Sequence, residues 1–197
     1  MRALRALVPL AALLLAACAA MLKVGPGAVS VRDEFSVTVD SPWNRLDFPG
    51  IVFVAPGASE IWTAEGIPLD VLAFYIGVRE GDSLGRMLAR RAKPLPPFRA
   101  TMTPHQIVDL YELLVTQEGS AFKLERLAPQ RFGGADGFRF DYTLTRKRDS
   151  LVLSGVVYGA VVGKRLTLMA FSAARSHYFA RLLPRVEAMA ATAQIKY

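Results

Sequence analysis

A serine nucleophile is the most specific chemistry that the residue types and spacings of this chain suggest. Ser83 lies in a Gly-Asp-Ser-Leu segment at residues 81–84, which follows an apolar run. A serine hydroxyl becomes a nucleophile when a histidine base, an orienting carboxylate and oxyanion-stabilising donors surround it. The chain contains two histidines, His105 and His177, so a catalytic role for Ser83 requires one of them.

The Gly-Asp-Ser-Leu segment resembles the serine motif of the GDSL esterases, which implies ester hydrolysis with Ser83 as the nucleophile. In that family the base belongs to an Asp-x-x-His motif near the C-terminus. Here the residues three positions before the histidines are Met102 and Ala174, and the Gly-x-Asn-Asp oxyanion block is missing. The other interpretation is a turn in which Asp82 or Ser83 caps a helix beginning at Leu84. We expect this structural role and keep the esterase as the alternative function.

The histidines and the acidic residues do not form the pattern of a metal site. His105 and His177 each fall in the first turn of a predicted helix, without a cysteine or a group of carboxylates nearby. Metal sites need several such ligands together. We interpret Asp33, Glu34 and Asp40 as surface charge. The sequence therefore predicts neither a metal nor a cofactor.

The only cysteine is the second residue with a predicted chemistry. A start that carries Arg2 and Arg5 precedes an apolar run over residues 6–17, which has signal-peptide length and is too short to span a bilayer. The run ends in Leu-Ala-Ala-Cys, which resembles the lipobox of bacterial lipoproteins. This resemblance implies cleavage before Cys18, acylation of that residue (palmitate included) and stable attachment through several acyl chains. An ordinary secretory signal cut near the same place is the alternative.

The lipobox also implies a location and a division of the chain. Ala19 follows the cysteine, whereas aspartate at that position favours retention in the inner membrane of Gram-negative bacteria. We therefore expect attachment to the outer membrane, facing the periplasm. Residues 1–17 are predicted to be the signal peptide, residues 18–28 the lipidated cysteine and a tether, and residues 29–197 a single domain. A domain of that length can bury a proper core.

The charge balance is mildly basic. The chain has 24 Lys plus Arg and 17 Asp plus Glu, a net charge of +7, which falls to +5 when Arg2 and Arg5 leave with the signal peptide. Such an excess favours solubility and weak attraction to anionic surfaces. Nucleic-acid binding is not expected, since Lys and Arg are not concentrated on one element. One cysteine also excludes an intrachain disulfide.

Two basic clusters are candidate contact surfaces, one on and after a short predicted helix and one at a predicted hairpin tip. Their members are Arg86, Arg90, Arg91 and Lys93 in the first cluster, and Arg146, Lys147 and Arg148 in the second. A solvated face explains either cluster equally well. We favour the second as the contact for an envelope protein, because three adjacent cations at a tip are not expected to find partners within their own domain.

Alternation of apolar and polar residues predicts several strands. The clearest strand covers residues 138–144. Residues 151–161 are apolar on both faces, which predicts a central strand covered on both sides. Trp43 and Trp62 are expected to pack in or beside the core. The remaining predicted strands are residues 35–39, 51–54, 69–78, 122–127 and 166–173.

Three helices are predicted. The strongest follows the Thr-Pro-His-Gln segment at residues 103–106, where threonine and glutamine can form a capping box and proline suits the first turn. A second helix covers residues 83–92. A third covers residues 176–192 and is kinked or restarted at Pro184. These elements together indicate an α+β fold, with a mostly antiparallel sheet flanked by helices on both faces.

Parts of this pattern resemble PsbP-like proteins, which are α/β/α sandwiches. The matching features are the strand at residues 35–39 followed by Pro-Trp, and the Gly-Ala-Asp-Gly-Phe segment at residues 134–138. The closing helix contributes Phe179, Leu183, Pro184 and Glu187. The resemblance implies a non-catalytic binding or scaffolding module without cofactors, and the lipobox makes this a module of the cell envelope.

Overall fold

The computed structural model describes residues 21–46, 55–85 and 94–197. Cys18, the strand predicted over residues 51–54 and the first basic cluster lie outside the described residues. No helix within the described residues is long and apolar enough to cross a membrane.

The described residues form eleven strands and two α-helices. In chain order they are β1 (Met21–Val24), β2 (Gly27–Val31), β3 (Phe35–Val39), β4 (Trp43–Leu46), β5 (Glu60–Thr63), β6 (Asp70–Arg79), α1 (Pro104–Val115), β7 (Ala121–Pro129), β8 (Gly137–Thr145), β9 (Val152–Val162), β10 (Arg165–Ala174), α2 (Tyr178–Ala191) and β11 (Gln194–Ile195).

Eight of these strands form one sheet in the order β1-β4-β5-β6-β10-β9-β8-β7, and every neighbouring pair is antiparallel. The predicted α+β class with a mostly antiparallel sheet is therefore confirmed. Strand β9 lies inside the sheet between β10 and β8, although β6 and β10 are nearer its centre. A second sheet, in the order β11-β3-β2, was not predicted.

The strands predicted over residues 138–144, 151–161 and 166–173 correspond to β8, β9 and β10, which form an antiparallel meander. Alternate residues of β8 are buried, as the sequence pattern requires. The turn between β9 and β10 consists of Gly163 and Lys164, with φ angles of 54° and 63°. Positive φ at both positions gives the two-residue hairpin turn whose twist matches antiparallel strands. Residues Arg165 and Val162 are paired directly across this turn.

Two hydrophobic cores contact the large sheet. Val156 and Val157 are consecutive on β9 and both are fully buried, so they project to opposite faces. Val156 belongs to the first core, which includes the buried residues of β3 and α2. Val157 belongs to the second core, which includes the buried residues of α1. Trp43 and Trp62 are both fully buried in the first core, as expected.

The predicted capping box at the start of α1 is present. The backbone N–H of Gln106 donates to Thr103 Oγ1 at 3.4 Å, and the backbone N–H of Thr103 donates to Gln106 Oε1 at 2.9 Å. Proline occupies the first turn. The buried residues of α1 are Ile107, Val108, Leu110, Tyr111 and Leu114. The third predicted helix is α2, which begins two residues later than predicted and contains Pro184.

The N-terminal segment differs from its prediction. Residues 18–28 were expected to be a tether, but β1 lies within them and β2 begins at Gly27. Residues of β1 pair with β4, from Met21 with Leu46 to Val24 with Trp43. The segment is short, its residues are small and weakly polar, and it contains glycine, which is a composition typical of a tether. Pairing with strands later in the chain gives it a structure that local composition does not indicate.

Candidate binding cleft

A cleft of about 410 Å³ lies between α1, the connection after it and the adjacent face of the large sheet. Small-molecule sites have volumes of about 300–1,000 Å³. Most of the lining is apolar, with hydroxyl, amide and charged groups at intervals. The lining residues are Ala55, Pro56, Ile67, Pro68, Val71, Ala73, Tyr75, Tyr111, Leu114, Val115, Gln117, Glu118, Ser120, Tyr142, Leu144, Arg146, Arg148, Leu153, Ala170 and Ser172.

Three buried tyrosines from three elements meet at this cleft. Tyr75 is on β6, Tyr111 on α1 and Tyr142 on β8, and each is at most 5% exposed. The hydroxyls of Tyr111 and Tyr142 are hydrogen bonded at 3.0 Å, and Tyr142 also bonds to Ser172. The Tyr142 ring packs against Gly155, its register partner on β9, where any side chain would collide with the ring. The glycine therefore allows Tyr142 to reach its position.

Burial determines the charge state of these tyrosines. Loss of solvation raises the pKa of Tyr75, of Tyr111 and of Tyr142 above the ordinary value of 10.0. Burial together with its tyrosine neighbours raises the pKa of Tyr111, whereas hydrogen bonds from Tyr111 and Ser172 partly offset the effect of burial on the pKa of Tyr142. All three hydroxyls are thus neutral at physiological pH. They can donate and accept hydrogen bonds, but they do not act as bases.

The hairpin tip between β8 and β9 forms one end of the cleft. It consists of Arg146, Lys147 and Arg148, the second basic cluster, and we call it the cationic tip. Arg146 and Arg148 line the cleft, while the backbone N–H of Lys147 donates to Ser120 Oγ at 3.2 Å. This bond ties the tip to the segment that follows α1. The cleft and the cationic tip therefore form one continuous surface.

The argument that the three cations lack partners in their own domain is wrong for two of them. Arg146 donates two hydrogen bonds to Asp149, with Nε–Oδ1 at 2.9 Å and Nη2–Oδ2 at 2.7 Å. Arg148 Nε lies 3.5 Å from the same carboxylate. The hydrogen bonds from Arg146 are the main cause that lowers the pKa of Asp149 to about 2. Asp149 is close in sequence, and short loops commonly pair their own charges. Lys147 is exposed, and three cations still outnumber one carboxylate at the tip.

A buried aspartate stabilises the connection that forms another wall of the cleft. Asp70 is 1% exposed and accepts hydrogen bonds from the backbone N–H groups of Ala64 and Glu65, both at 2.8 Å, and from Thr63 Oγ1 at 3.0 Å. These bonds fix the connection between β5 and β6, which brings Ile67 to the cleft. Burial raises the pKa of Asp70 despite the three hydrogen bonds, which act in the opposite direction.

The contacts of Ser83 are those of a residue that joins two neighbouring segments of backbone. The residue is exposed and forms an isolated antiparallel bridge with Pro97. Its hydroxyl donates to the backbone carbonyl of Leu95 at 3.1 Å. Next to this bridge, the backbone N–H of Gly81 donates to the carbonyl of Phe98, and the backbone N–H of Phe98 donates to the carbonyl of Asp82. Residues 83–85 are a bridge and a bend, so the helix predicted over 83–92 does not begin at Leu84, and its remainder from residue 86 lies outside the described residues.

The other predicted surface residues have ordinary surroundings. His105 and His177 are exposed at the starts of α1 and α2. Glu34 pairs with Arg165 at 3.1 Å, and Asp40 lies 3.9 Å from Arg185. Among the described residues, no group of three or more His, Cys, Asp or Glu side chains is arranged to hold a metal ion.

Sequence reasoning missed the cleft itself. Its tyrosines come from β6, α1 and β8, which are far apart in the chain and meet only through the sheet order. Each tyrosine also fits an ordinary apolar stripe, so no local pattern marks it as a site residue. The available signal was the presence of tyrosine within these apolar stripes, because a buried hydroxyl needs a partner.

Comparison with known proteins bears on the fold. No family model matches the chain, and no curated protein matches its sequence. The structure is similar to the solution structure of CyanoP, the cyanobacterial PsbP of Synechocystis sp. PCC 6803, with a TM-score of 0.58 and 13% sequence identity. That match covers 91% of this chain and 94% of CyanoP. A protein of unknown function from Pseudomonas aeruginosa matches with a TM-score of 0.35 and 11% identity, covering 83% of this chain and 92% of that one. The likeness to CyanoP shows that the chain has a PsbP-like fold.

Proposed function

We propose that this chain is an outer-membrane lipoprotein facing the periplasm, which acts as a non-catalytic binding or scaffolding module of the cell envelope. Cys18 is its lipidated residue, and residues 1–17 are its signal peptide. The charged start, the short apolar run and the position of the only cysteine support this anchor. The alternative function, an esterase using Ser83, has no structural observation in its favour.

We also propose that the fold is an α/β/α sandwich, with α1 and α2 covering opposite faces of the eight-stranded sheet. The membership of the two cores supports this arrangement. Residues of α2 pack with Val156, residues of α1 pack with Val157, and these two valines project to opposite sides of β9. The small sheet contributes Phe35 to the same core as α2, so it shares the cover of that face.

The continuous surface made by the cleft and the cationic tip is the observation that carries the binding function. Binding sites commonly combine an apolar pocket with a few polar groups that orient the occupant. This cleft supplies the pocket, the hydroxyls of Tyr111 and Tyr142, and cations at one end. The neutral tyrosines and the exposed, carbonyl-bonded Ser83 do not form a nucleophile with its base. The arrangement is therefore suited to binding.

The proposed occupant is a segment of an envelope protein. An apolar or aromatic side chain of that protein fills the cleft, as anchor residues do at protein interfaces. An acidic residue beside it faces Lys147, the cation of the tip that forms no ion pair among the described residues. Because the anchor holds both proteins at one membrane, a weak contact suffices at high effective concentration.

A crosslinking experiment in intact cells tests this surface. A photoreactive residue in place of Lys147 is expected to trap an envelope protein, whereas the same residue in place of the exposed Gln194, on the second sheet, is not. Equal background from both positions would contradict the proposal. Reversal of charge at all three residues of the tip is expected to abolish the crosslinked product from a reporter placed at Ser120.

Two matched variants of α1 test whether the proposed partner protein binds in the cleft. Val115→Trp fills the cleft, because Val115 lines it, while Leu113→Trp places the same bulk on an exposed position of the same helix that is outside the lining. The crosslink from position 147 is expected to disappear with Val115→Trp and to remain with Leu113→Trp. Circular dichroism of both variants checks that the fold is intact. If both variants keep the crosslink, the cleft is not the contact.

Ester hydrolysis separates the two function classes. A non-catalytic module is expected to show no hydrolysis of short-chain nitrophenyl esters even at high protein concentration, and Ser83→Ala is expected to change nothing. Hydrolysis that is lost with Ser83→Ala would establish the esterase instead.

A further inference from the structure

The edge strand β1 exposes apolar side chains on a surface with no strand partner among the described residues. Met21 is 46% exposed and Leu22 is 41% exposed, and β1 is the first strand of the eight-stranded sheet. Val24 is buried in the first core, so the C-terminal end of β1 is fixed to the domain. Exposed edges of this kind favour aggregation unless something covers them.

The position of the proposed anchor indicates that the membrane surface covers this edge. Met21 is three positions after Cys18, and an extended chain spans at most about 3.3–3.6 Å per residue, so Met21 lies within about 11 Å of the lipidated residue. The polar zone on each side of a bilayer is about 5–8 Å thick, since its total thickness is about 40–45 Å around a hydrocarbon core of about 30 Å. The proposed anchor therefore holds the first strand of the sheet close to the membrane surface.

We propose that the β1 edge of the sheet rests on the surface of the bilayer that holds the anchor, with Met21 on one side of the edge and Leu22 on the other, both within the interfacial region. This inference rests on the proposed lipidation of Cys18 and adds a fixed orientation to it. The domain is held against the membrane by its own edge strand, in addition to its acyl chains.

Backbone chemistry limits the depth of this contact. The outer side of β1 presents N–H and C=O groups without a strand partner in the described chain, and such groups are costly in hydrocarbon. The strand therefore stays in the hydrated interface, and the side chains of Met21 and Leu22, which project to opposite faces of the sheet, flank it there. Lys23 is exposed, and Arg45, the register partner of Leu22, has a 37% exposed side chain. Arg45 Nη1 lies 3.7 Å from Glu60, so Lys23 is the cation that suits anionic headgroups at this level.

The orientation has a consequence for the binding surface. Strands β1 and β7 are the two edges of the large sheet, separated by seven strand spacings. At about 4.8 Å each, these spacings amount to about 33 Å. The cationic tip joins β8 to β9, which are much nearer to β7 than to β1. A membrane contact at β1 thus leaves the tip directed away from the bilayer, where a protein partner can reach it.

A depth measurement on the lipidated protein tests the orientation. Acylation occupies the thiol of Cys18, so a cysteine introduced at position 22 accepts an environment-sensitive fluorophore. The matched control is Lys123→Cys, an exposed position on the opposite edge strand β7. Each labelled protein is reconstituted in vesicles of phosphatidylethanolamine and phosphatidylglycerol, with quenchers either on the lipid chains or in the buffer.

The label at position 22 is expected to emit at shorter wavelength and to be quenched from the lipid, whereas the label at position 123 is quenched by aqueous iodide. Met21→Cys provides a second label with the same expectation. Water-like emission from positions 21 and 22 in protein that floats with the vesicles would overturn the orientation and leave the anchor standing. Disulfide-linked dimers through position 22 would overturn it in favour of pairing between copies. Protein that does not float with vesicles would overturn the anchor and the orientation together.

Discussion

The buried tyrosines of the cleft are neutral hydrogen-bonding groups, which suits the binding role proposed for the cleft. Tyr75, Tyr111 and Tyr142 have raised pKa values caused mainly by loss of solvation, so they retain their protons at physiological pH. A neutral hydroxyl pairs equally with a donor or an acceptor. The tyrosine end of the cleft is thus suited to polar, uncharged atoms, while the cationic tip is suited to a carboxylate.

The hydrogen bond between Tyr111 and Tyr142 should be visible as a coupling energy. Tyr142→Phe leaves the hydroxyls of Tyr111 and Ser172 without this partner, and a buried polar group without a partner costs about 1–3 kcal/mol. We expect Tyr111→Phe to cost less, since Tyr142 keeps Ser172. The double variant should lose less than the sum of the single variants. Urea unfolding of the four proteins measures these differences, and strict additivity would show that the bond contributes nothing.

The ion pair at the cationic tip gives a pH dependence with a defined sign. The pKa of Asp149 is about 2 in the fold, below its ordinary value of 3.8. A carboxylate whose folded-state pKa is lowered stabilises the fold above its unfolded-state pKa, and this contribution is lost as the pH falls through the folded-state pKa. Asp149→Asn should therefore be less stable than the unaltered protein above about pH 4, and the gap should close towards about pH 2.

Urea unfolding midpoints measured between these pH values check this prediction. Asp136→Asn is the control, because Asp136 is almost fully exposed and its contact with Arg131 is longer, at 3.4 Å. A gap between Asp149→Asn and the unaltered protein that stays constant down to about pH 2 would contradict the assigned role of the ion pair.

Strand β9 is the element on which both cores depend. Val156 and Val157 are fully buried on its two faces, and an unpaired charge at either position would have to be buried or expelled by unfolding. We expect Val156→Asp and Val157→Asp each to unfold the domain, as seen by loss of circular dichroism and of soluble yield. Thr145→Asp, at an exposed position at the end of β8, should leave the fold intact. A folded Val156→Asp or Val157→Asp protein would contradict the burial of β9 on both faces.

The longer elements could be predicted from sequence because local patterns determine them. Alternation along β8, apolar character on both faces of β9, the Gly163-Lys164 turn and the capping box of α1 are all signals within a few residues. Strands β1 and β11 carry weak local signals and owe their structure to partners distant in the chain, whereas β2 pairs with the neighbouring strand β3. The sequence therefore predicts the meander and α1 well, and misses the second sheet and the edge strand β1.

The binding surface could be predicted only in part, for a related reason. The cationic tip was recognisable because its three residues are adjacent, but its internal pairing with Asp149 was not anticipated. The cleft depends on the order β6-β10-β9-β8 and on the placement of α1 over it. Sheet order is a property of long-range pairing, which the sequence pattern alone does not specify.

On the scale of the whole molecule, the proposed anchor, the edge strand β1 and the proposed binding surface follow one another across the large sheet. In the proposed arrangement the lipid at Cys18 and the exposed side chains of β1 face the membrane. The large sheet then extends away from the bilayer, and the cleft with its cationic tip lies towards the far edge. In this proposal the cleft and the cationic tip stay accessible to another envelope protein although Cys18 is close in sequence to β1.

The anchor on Cys18 is the central claim, and acyl labelling combined with membrane fractionation tests it most directly. Cells that express the unaltered chain or Cys18→Ala are fed a clickable palmitate analogue and then separated into soluble periplasm, inner membrane and outer membrane. The unaltered chain is expected to carry the label and to sediment with the outer membrane. Cys18→Ala is expected to lack the label and to appear in the soluble periplasm or as unprocessed precursor. Cys18→Ala that fractionates with the outer membrane like the unaltered chain would contradict the account.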